Sequence, residues 1–378
     1  MCYSTLVLSI NICIRFYRGI ATMRPTSFQY NRRFPSCKYL IIATLSILLA
    51  GCSINLPQSS NSSCQGNCTT GPGVQGVHVF VEPDAGEHPV TDAINGAQKS
   101  VWLEMYILSD RNVIRALEEA ANRGIDVRVM LEPHPFGGGS PARAMDQLRA
   151  AGAKVQESNP AFTLTHEKGL IIDNSTAYIM TSNFSRAAVG SYSGSSGFSN
   201  REYDIVDSDP PEVQAVVSIF QADWDRTTAQ FNDPNFVVSP INARNAFNTL
   251  INSAHRTLLV EGEEMNDSAV EQALSTAVQH GVQVQVILPA PRGSSGDSNS
   301  QGINTIKQAG VQVREDPRLY MHAKIMVIDG QKAFVGSQNI SAQSLDQNRE
   351  LGIIISDQGV LQTLQQTFQQ DCGDSQAV

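Results

Sequence analysis

The sequence predicts an α/β fold made of two homologous halves, each a mixed, largely parallel sheet flanked by helices. One observation is that strand-like and helix-like segments alternate in the order strand, helix, strand, helix, strand, and that this order occurs twice. The other is that a 19-residue stretch of the first half returns 156 residues later with a histidine, a lysine, an aspartate and an asparagine in the same places. A period that long is typical of a duplicated domain rather than of a solenoid repeat.

Each half contains the same elements in the same order. In the first half the apolar run "SVWLEMYIL" predicts a strand, residues 110–124 predict a helix, and "IDVRVMLEP" predicts a second strand. A further helix over 141–152 and a short strand over 153–158 come next. The corresponding segments of the second half begin at "RTLLVEGEE". Glycines follow the predicted helices, as expected at helix C-termini: Gly124, Gly152, Gly281 and Gly310.

The repeated stretches are "THEKGLIIDNSTAYIMTSN" and "MHAKIMVIDGQKAFVGSQN". Both predict a hairpin, since apolar residues alternate and Gly330 marks a turn in the second copy. A hairpin alone does not require the histidine, lysine and asparagine that the two copies share. With only 7 histidines in 378 residues, chance does not readily produce the match. Related halves usually pack about a pseudo-two-fold axis, so we expect the two stretches to converge on one pocket.

The shared residue types suit the cleavage of a phosphodiester. One imidazole can attack phosphorus while the other, protonated, donates to the leaving oxygen. Lys168 and Lys324, with the amides of Asn183 and Asn339, would then hold the non-bridging oxygens. Because these donors supply what a divalent metal supplies elsewhere, we expect neither a metal nor another cofactor.

Two further pairs of acidic residues have matching positions. "NREYDIV" and "NRELGII" place Glu202 and Glu350 where a carboxylate could fix the tautomer of a histidine. Asp173 and Asp329 belong to the repeated stretches, and each ends an apolar strand. That position favours a role in bracing the hairpin over contact with substrate.

Both stretches resemble the His-x-Lys-x4-Asp motif of the phospholipase D superfamily, which is usually followed by Gly-Ser-x-Asn. The second copy matches fully, through Gly336, Ser337 and Asn339. The first has Met180 and Thr181 in place of Gly and Ser, and the threonine keeps a hydroxyl. The resemblance covers residues 76–372. It implies two phospholipase D-like halves related by a pseudo-two-fold, with the active site between them.

The resemblance also assigns roles within the site. A downstream acid, often paired with the histidine of the opposite half, orients each imidazole. His166, the N-terminal histidine, would be the nucleophile and His322 the acid. The candidate catalytic residues are His166, Lys168, Asp173, Asn183, His322, Lys324, Asp329 and Asn339, with Thr181, Ser337, Glu202 and Glu350 in support.

The N-terminus predicts export and lipidation. Residues 1–51 form a signal peptide region, in which basic residues precede the apolar run Tyr39–Ala50, and Met23 is a plausible true start. "LAGC" resembles the lipobox of bacterial lipoproteins, which would acylate Cys52 and anchor the chain in a membrane on the extracytoplasmic side of the cell envelope. An uncleaved anchor and a plain signal peptide are the alternatives.

The remainder divides into a flexible tether over 52–75, a first half over 76–232 and a second half over 233–378. Cys64, Cys68 and Cys372 allow one disulfide, and the sequence leaves all three pairings open. An insertion over 187–199 has no counterpart in the second half. It is either a lid, whose Tyr192 and Phe198 meet an apolar group, or a solvated loop.

The net charge of the chain favours some classes of substrate over others. The first 52 residues carry six basic residues and no acidic ones, so the rest carries 21 basic and 36 acidic residues, a formal charge of −15. That charge disfavours nucleic acid as a partner. The resemblance then implies a phospholipid substrate and phospholipase D-type hydrolysis or transphosphatidylation through a phosphohistidine, as in phospholipase D or cardiolipin-synthase-like enzymes.

Two alternatives remain at this point, a nuclease of the same superfamily and a non-catalytic lipid-binding envelope lipoprotein. The retention of both His-Lys pairs argues against the non-catalytic alternative. One chain carries both motifs, so a monomer suffices for catalysis.

Overall fold

The computed structural model describes residues 70–137, 139–190, 199–291 and 298–378. The signal region, Cys52, Cys64 and Cys68 lie outside the described residues, as do Tyr192 and Phe198 of the predicted lid. None of the helices in these four ranges is both long enough and apolar enough to span a bilayer.

The first half forms one sheet. Its strands are β1 (His78–Glu82), β2 (Ser100–Met105), β3 (Asp126–Leu131), β4 (Lys154–Glu157), β5 (Lys168–Ile172), β6 (Thr176–Met180) and β7 (Asn200–Asp207). Its helices are α1 (His88–Gly96), α2 (Arg111–Asn122), α3 (Ala142–Ala150), α4 (Arg186–Val189) and α5 (Pro210–Trp224). The strand order across the sheet is β1-β7-β6-β5-β2-β3-β4.

The second half repeats this plan. Its strands are β8 (Phe236–Ser239), β9 (Thr257–Gly262), β10 (Met265–Asn266), β11 (Gln283–Pro289), β12 (Gln312–Asp316), β13 (Tyr320–Met321), β14 (Lys324–Ile328), β15 (Lys332–Gly336), β16 (Ile340–Ser341), β17 (Glu350–Ile355) and β18 (Gln376–Ala377). Its helices are α6 (Ala243–Asn252), α7 (Ser268–Gln279), α8 (Ser300–Gln308), α9 (Ala342–Asp346) and α10 (Gln358–Asp374). The order of its sheet is β18-β12-β11-β9-β14-β15-β17-β8, and β10 pairs with β16 alone.

The α/β class with mixed sheets is confirmed, but the parallel part is smaller than expected. Within the two main sheets, β2-β3-β4 and β9-β11-β12 are parallel, and the other neighbours from the same half are antiparallel. The reason is the hairpin that follows each βαβ segment. A short turn returns the chain beside itself, which only an antiparallel pair allows.

The hairpin strands are apolar along their whole length because both faces of each sheet are covered. In β5, Leu170 and Ile172 pack into an outer core with α1, α2 and α3, while Ile171 points into a central core. In β14, Ile325 and Val327 enter the same central core. Full burial of each such side chain contributes about 1.5–3 kcal/mol.

The central core joins the two halves. It contains side chains of β5 and β6 from the first half and of β14, β15 and β17 from the second. The buried faces of α5 and α10, the last helix of each half, complete it. The two sheets therefore pack with helices α5 and α10 around one shared core, which is the pseudo-two-fold arrangement expected of duplicated halves.

A short extended segment of each half also pairs with the other half. β13 pairs in parallel with β7, and Thr165 forms the corresponding parallel bridge to Arg349. As a result, the main-chain nitrogen of His166 donates to the carbonyl of Arg349 at 2.9 Å, and that of His322 to the carbonyl of Arg201 at 3.3 Å. The main chain of each repeated histidine is thus bonded to the residue that precedes Glu350 or Glu202 in the other half.

Candidate active site

Both histidines lie at the entrance to a hairpin strand and face one cavity. His166 precedes β5 and His322 precedes β14, and their exposed fractions are 8% and 7%. The cavity has a volume of about 940 Å³ and is also lined by Asn183 and Asn339. The structure therefore brings the two repeated stretches together, as the duplicated sequence predicted.

Each histidine contacts a glutamate of the opposite half. Nδ1 of His166 donates to Oε2 of Glu350 at 2.9 Å. Nδ1 of His322 lies 2.7 Å from Oε1 of Glu202, although its angle is not that of a hydrogen bond. Because a carboxylate can only accept, the contact with Glu350 places a proton on Nδ1 of His166 and leaves its Nε2 for chemistry.

The glutamates are themselves held by neighbouring polar groups. Glu202 accepts from the Thr181 hydroxyl at 2.7 Å and from the Asn200 amide at 2.9 Å. Glu350 accepts from the Ser344 hydroxyl at 2.6 Å and from the Asn348 amide at 3.2 Å. These bonds keep each carboxylate turned toward its histidine.

The supporting hydroxyl residues differ between the halves. Thr181 contacts Glu202 directly, whereas Ser337 accepts from the main-chain nitrogen of Leu351 at 3.1 Å. Ser337 thus secures the pairing of β17 beside the site. Neither side chain lines the cavity, so their contribution is positional.

The two lysines are buried below the histidines. Nζ of Lys168 donates to the carbonyl of His166 at 2.6 Å, and Nζ of Lys324 donates to that of His322 at 2.5 Å. Burial disfavours the ammonium form and lowers the pKa of Lys168 to about 7. Lys324 has an additional anionic partner, Glu263, at 2.9 Å.

Burial also sets the protonation of the His166–Glu350 pair. Burial lowers the pKa of His166, and the attraction of Glu350 for the imidazolium offsets this only partly. In the opposite direction, burial would raise the pKa of Glu350, but His166 and Lys168 outweigh it and hold the pKa below its usual range. The pair therefore favours a neutral imidazole beside an ionised carboxylate.

The structure places Asp173 and Asp329 away from the cavity, which corrects their inclusion among the candidate catalytic residues. Asp173 accepts from the main-chain nitrogens of residues 98–100, at distances from 2.6 to 3.1 Å. Asp329 accepts from those of residues 255–257, at 2.8 to 3.0 Å. Both stand at the far end of the strand that follows the histidine, so they brace the hairpin against the start of β2 or β9.

Two residues that line the site were not singled out from the sequence. The ring of Tyr106 packs edge-on against His166, with centroids 4.5 Å apart. Oε2 of Glu263 lies 3.3 Å from Nε2 of His322. Tyr106 and Glu263 occupy equivalent positions, two residues after the matched strand glutamates Glu104 and Glu261. Alignment of the two halves was the signal that could have identified them.

Four polar side chains surround the carboxylate of Glu263. Its Oε2 also accepts from Lys324 at 2.9 Å and from the Asn339 amide at 3.3 Å, and its Oε1 accepts from the Tyr320 hydroxyl at 3.1 Å. Burial would raise the pKa of Glu263, but the positive charges of His322 and Lys324 outweigh it and lower the pKa far below its usual range. Glu263 is therefore a carboxylate at neutral pH.

Buried carboxylates lie behind the site in both halves. Oxygens of Glu104, Glu167 and Asp223 come within 4.8 Å of one another, and Arg349 forms an ion pair with Asp223 at 2.8 Å. Burial raises the pKa of Glu167 to about 8, and it raises the pKa of Glu104 well above its usual range. Such carboxyls keep a proton at neutral pH. A cluster of this kind has oxygen ligands that a cation could also use.

In the second half, the equivalent buried glutamate is paired with a tyrosine hydroxyl. Glu261, the equivalent of Glu104, accepts from the hydroxyl of Tyr203 at 2.5 Å. Arg201 forms an ion pair with Asp371 at 2.6 Å, which corresponds to the pair between Arg349 and Asp223. Each of these ion pairs joins one half to the last long helix of the other.

Known proteins share this architecture. A family profile described as "Cardiolipin synthase, PLD-like domain" matches residues 90–224 and 247–372. A cardiolipin synthase of Clostridium perfringens is 23% identical over 321 residues, which cover 74% of this chain and 66% of that protein. The chain thus spans just under two thirds of the length of this relative.

Two solved structures have the same fold. Polyphosphate kinase from Porphyromonas gingivalis superposes with a TM-score of 0.62 and 16% identity, over 78% of this chain and 46% of the kinase. Phosphatidylserine synthase from Haemophilus influenzae superposes with a TM-score of 0.61 and 13% identity, over 81% and 88% of the two chains. At these identities the likeness concerns the fold alone. The family match in both halves, together with the paired His-Lys stretches at one cavity, places the chain in the phospholipase D superfamily.

Proposed function

We propose that the protein is a metal-independent phosphodiesterase that acts on phospholipid head groups by hydrolysis or by transfer to an alcohol. The observation that carries the proposal is the pair of histidines on one cavity, each in contact with a glutamate of the other half. This geometry supplies two imidazoles of fixed orientation to a single reacting phosphorus, which a two-step displacement requires.

In the first step His166 acts as the nucleophile. Its lowered pKa leaves the imidazole neutral, and Nδ1 is already engaged by Glu350. Nε2 attacks phosphorus, the bond from phosphorus to the leaving oxygen breaks, and His322 gives its proton to that oxygen. The product of this step is a phosphohistidine on His166.

In the second step the roles reverse. An incoming water or alcohol loses its proton to His322 while its oxygen attacks phosphorus, and the bond from phosphorus to Nε2 of His166 breaks. Water gives a phosphomonoester lipid, and an alcohol gives a new diester. His322 is thus the proton donor of the first step and the proton acceptor of the second, with Glu202 2.7 Å from its Nδ1.

Charge on the phosphoryl group is balanced by the protein itself. Lys324 and Asn339 lie beside His322, and Lys168 and Asn183 are the corresponding residues of the first half. Donors placed in a site largely shielded from water stabilise the developing charge. They provide the electrostatic part of what a metal ion contributes in other phosphodiesterases.

A phospholipid substrate is supported by the similarity of the chain to a cardiolipin synthase of Clostridium perfringens. It is also supported by charge, since the chain beyond residue 52 carries 21 basic and 36 acidic residues. A strongly acidic surface does not attract the phosphate backbone of nucleic acid.

The test is an assay of the full-length protein in mixed micelles with EDTA present. Release of choline, ethanolamine or glycerol from defined phospholipids is measured beside cleavage of single- and double-stranded DNA. His322→Ala is compared with His280→Ala, which removes an exposed histidine at the end of α7. We expect EDTA-resistant head-group release that is lost only in His322→Ala. Cleavage of DNA alone would favour a nuclease, and inactivity on all substrates would favour a lipid-binding protein.

We also propose that the protein is a lipoprotein of the cell envelope, anchored through Cys52. The support is the basic N-terminus, the short apolar run and the "LAGC" sequence. Metabolic labelling with an alkyne fatty acid should mark the wild-type protein in the membrane fraction and should not mark Cys52→Ser. Labelling retained by that variant would contradict the assignment.

A further inference from the structure

Glu263 contacts the donors that the proposed function assigns to the phosphoryl group. Its Oε2 lies within 3.3 Å of Nε2 of His322, of Nζ of Lys324 and of the Asn339 amide. A carboxylate oxygen and a non-bridging phosphate oxygen are both anionic acceptors of the same donors. A phosphoryl group that uses these donors must therefore displace Glu263 or share them with it.

The side chain of Glu263 borders the cavity, while its main chain is held by a separate contact. Glu263 follows the end of β9, and 18% of its side chain is exposed at the cavity. The Asn299 amide donates to the main-chain carbonyl of Glu263 at 2.9 Å, which holds the backbone while the side chain turns. A displaced carboxylate nevertheless remains at the cavity wall, beside whatever anion replaces it.

A fixed negative charge at this position acts differently on diesters and monoesters. A phosphodiester carries one negative charge, whereas a phosphomonoester carries close to two at neutral pH, because its second pKa is about 6. The additional charge is repelled by Glu263, and repulsion in a partly enclosed site is stronger than in water.

We propose that Glu263 is a specificity-determining residue, which admits monoanionic phosphodiesters to the phosphoryl site and excludes dianionic phosphomonoesters. The inference rests on the proposed function and adds to it, because hydrolysis of a phospholipid converts a monoanionic diester into a monoester. Glu263 then promotes release of that product. The equivalent residue of the first half, Tyr106, carries no such charge, so the selection comes from one side of the site.

The test measures binding and does not require turnover. Isothermal titration calorimetry at about pH 8, where methyl phosphate is a dianion, compares methyl phosphate with dimethyl phosphate, which stays a monoanion. The proteins are the wild type, Glu263→Gln, Glu263→Asp and Asp146→Asn. The last removes one exposed carboxylate that does not line the cavity.

We expect the wild type to bind dimethyl phosphate more tightly than methyl phosphate. In Glu263→Gln the affinity for methyl phosphate should rise roughly tenfold or more, with a much smaller change for dimethyl phosphate. Glu263→Asp and Asp146→Asn should keep the wild-type preference.

Two results would overturn the proposal. One is a wild-type protein that binds methyl phosphate as tightly as dimethyl phosphate, a result that needs no variant to fold. The other is an equal gain for both ligands in Glu263→Gln, which would make the carboxylate a competitor without charge selection. The binding preference could still be observed if the phospholipid assay showed no activity. The two proposals can therefore be contradicted independently.

Discussion

The two histidines of the site have the same type of neighbour at Nδ1, but they differ in a second neighbour. Each imidazole has a glutamate of the opposite half at Nδ1. At the second equivalent position the first half has Tyr106, whose ring packs against His166, and the second half has Glu263, whose carboxylate lies near Nε2 of His322. The two histidines therefore differ by one charged neighbour, although the segments that carry them are duplicated.

The largest effect is expected from removing either histidine. His166→Asn and His322→Asn should each lower kcat by roughly 10⁴-fold or more, as loss of a central catalytic group does. The difference between them lies in the intermediate. With a p-nitrophenyl diester, whose leaving group needs no acid, His322→Asn should still form the phosphohistidine and retain it, whereas His166→Asn should form none.

Mass spectrometry of the alkaline-quenched protein locates the phosphoryl group in this experiment. A phosphoryl group found on His322 of the His166→Asn protein would reverse the assigned roles. His280→Asn serves as the control, because His280 lies at the exposed end of α7.

The buried ion pairs between the halves should give the largest effect on stability. Arg201→Met and Arg349→Met each leave an acidic partner buried without its cation, which costs about 3–5 kcal/mol of the free energy of unfolding. Arg349 faces the cluster of Glu104, Glu167 and Asp223, so its loss should be the more costly. Urea unfolding measures both, with exposed Arg115→Met as the control. Equal stability of wild type and Arg349→Met would show that the cluster adjusts by taking up protons.

Removal of the orienting glutamates should have a smaller effect on catalysis. Glu350→Gln and Glu202→Gln should each lower kcat roughly 10²-fold or more, because the imidazole loses its fixed tautomer and its countercharge. Glu350 raises the pKa of His166, so its neutralisation should lower that pKa further and move the acidic limb of the kcat/KM profile to lower pH. Glu202→Gln should leave that limb in place. An unmoved limb in Glu350→Gln would assign Glu350 a purely structural role.

The smallest effect concerns the pH dependence of stability. Glu167 has a pKa of about 8 in the folded protein against an ordinary value of 4.5, so the folded state keeps a proton that the unfolded chain releases. Its contribution is complete below about pH 4.5 and is lost as pH rises through about 8. Glu167→Gln cannot ionise and should be more stable than the wild type at about pH 8.5, by roughly 2 kcal/mol.

Urea unfolding at about pH 5.5 and about pH 8.5 tests this difference. Exposed Glu119→Gln is the matched control. An unchanged pH dependence in Glu167→Gln would show that another group, such as Glu261 with its pKa of about 8, governs the effect.

Much of the fold and of the site could be predicted from the sequence, because both depend on local patterns. The strand and helix segments follow apolar periodicity, and the paired histidines, lysines, asparagines and glutamates follow from the duplication. β13 was not predicted, since two residues have no periodicity to detect and pair only with the other half. Glu263 was not predicted because "VEGEEM" has the composition of an ordinary strand end. Its role arises only where β9 meets the second repeated stretch in space.

Because each histidine contacts a glutamate of the other half, the candidate site joins residues that are synthesised far apart in time. His166 contacts a residue 184 positions later in the sequence, and that residue, Glu350, begins β17 of the final sheet. A nascent or truncated chain that ends before β17 contains His166 but lacks the carboxylate that contacts its Nδ1. The candidate site is therefore assembled only after β17 has been synthesised.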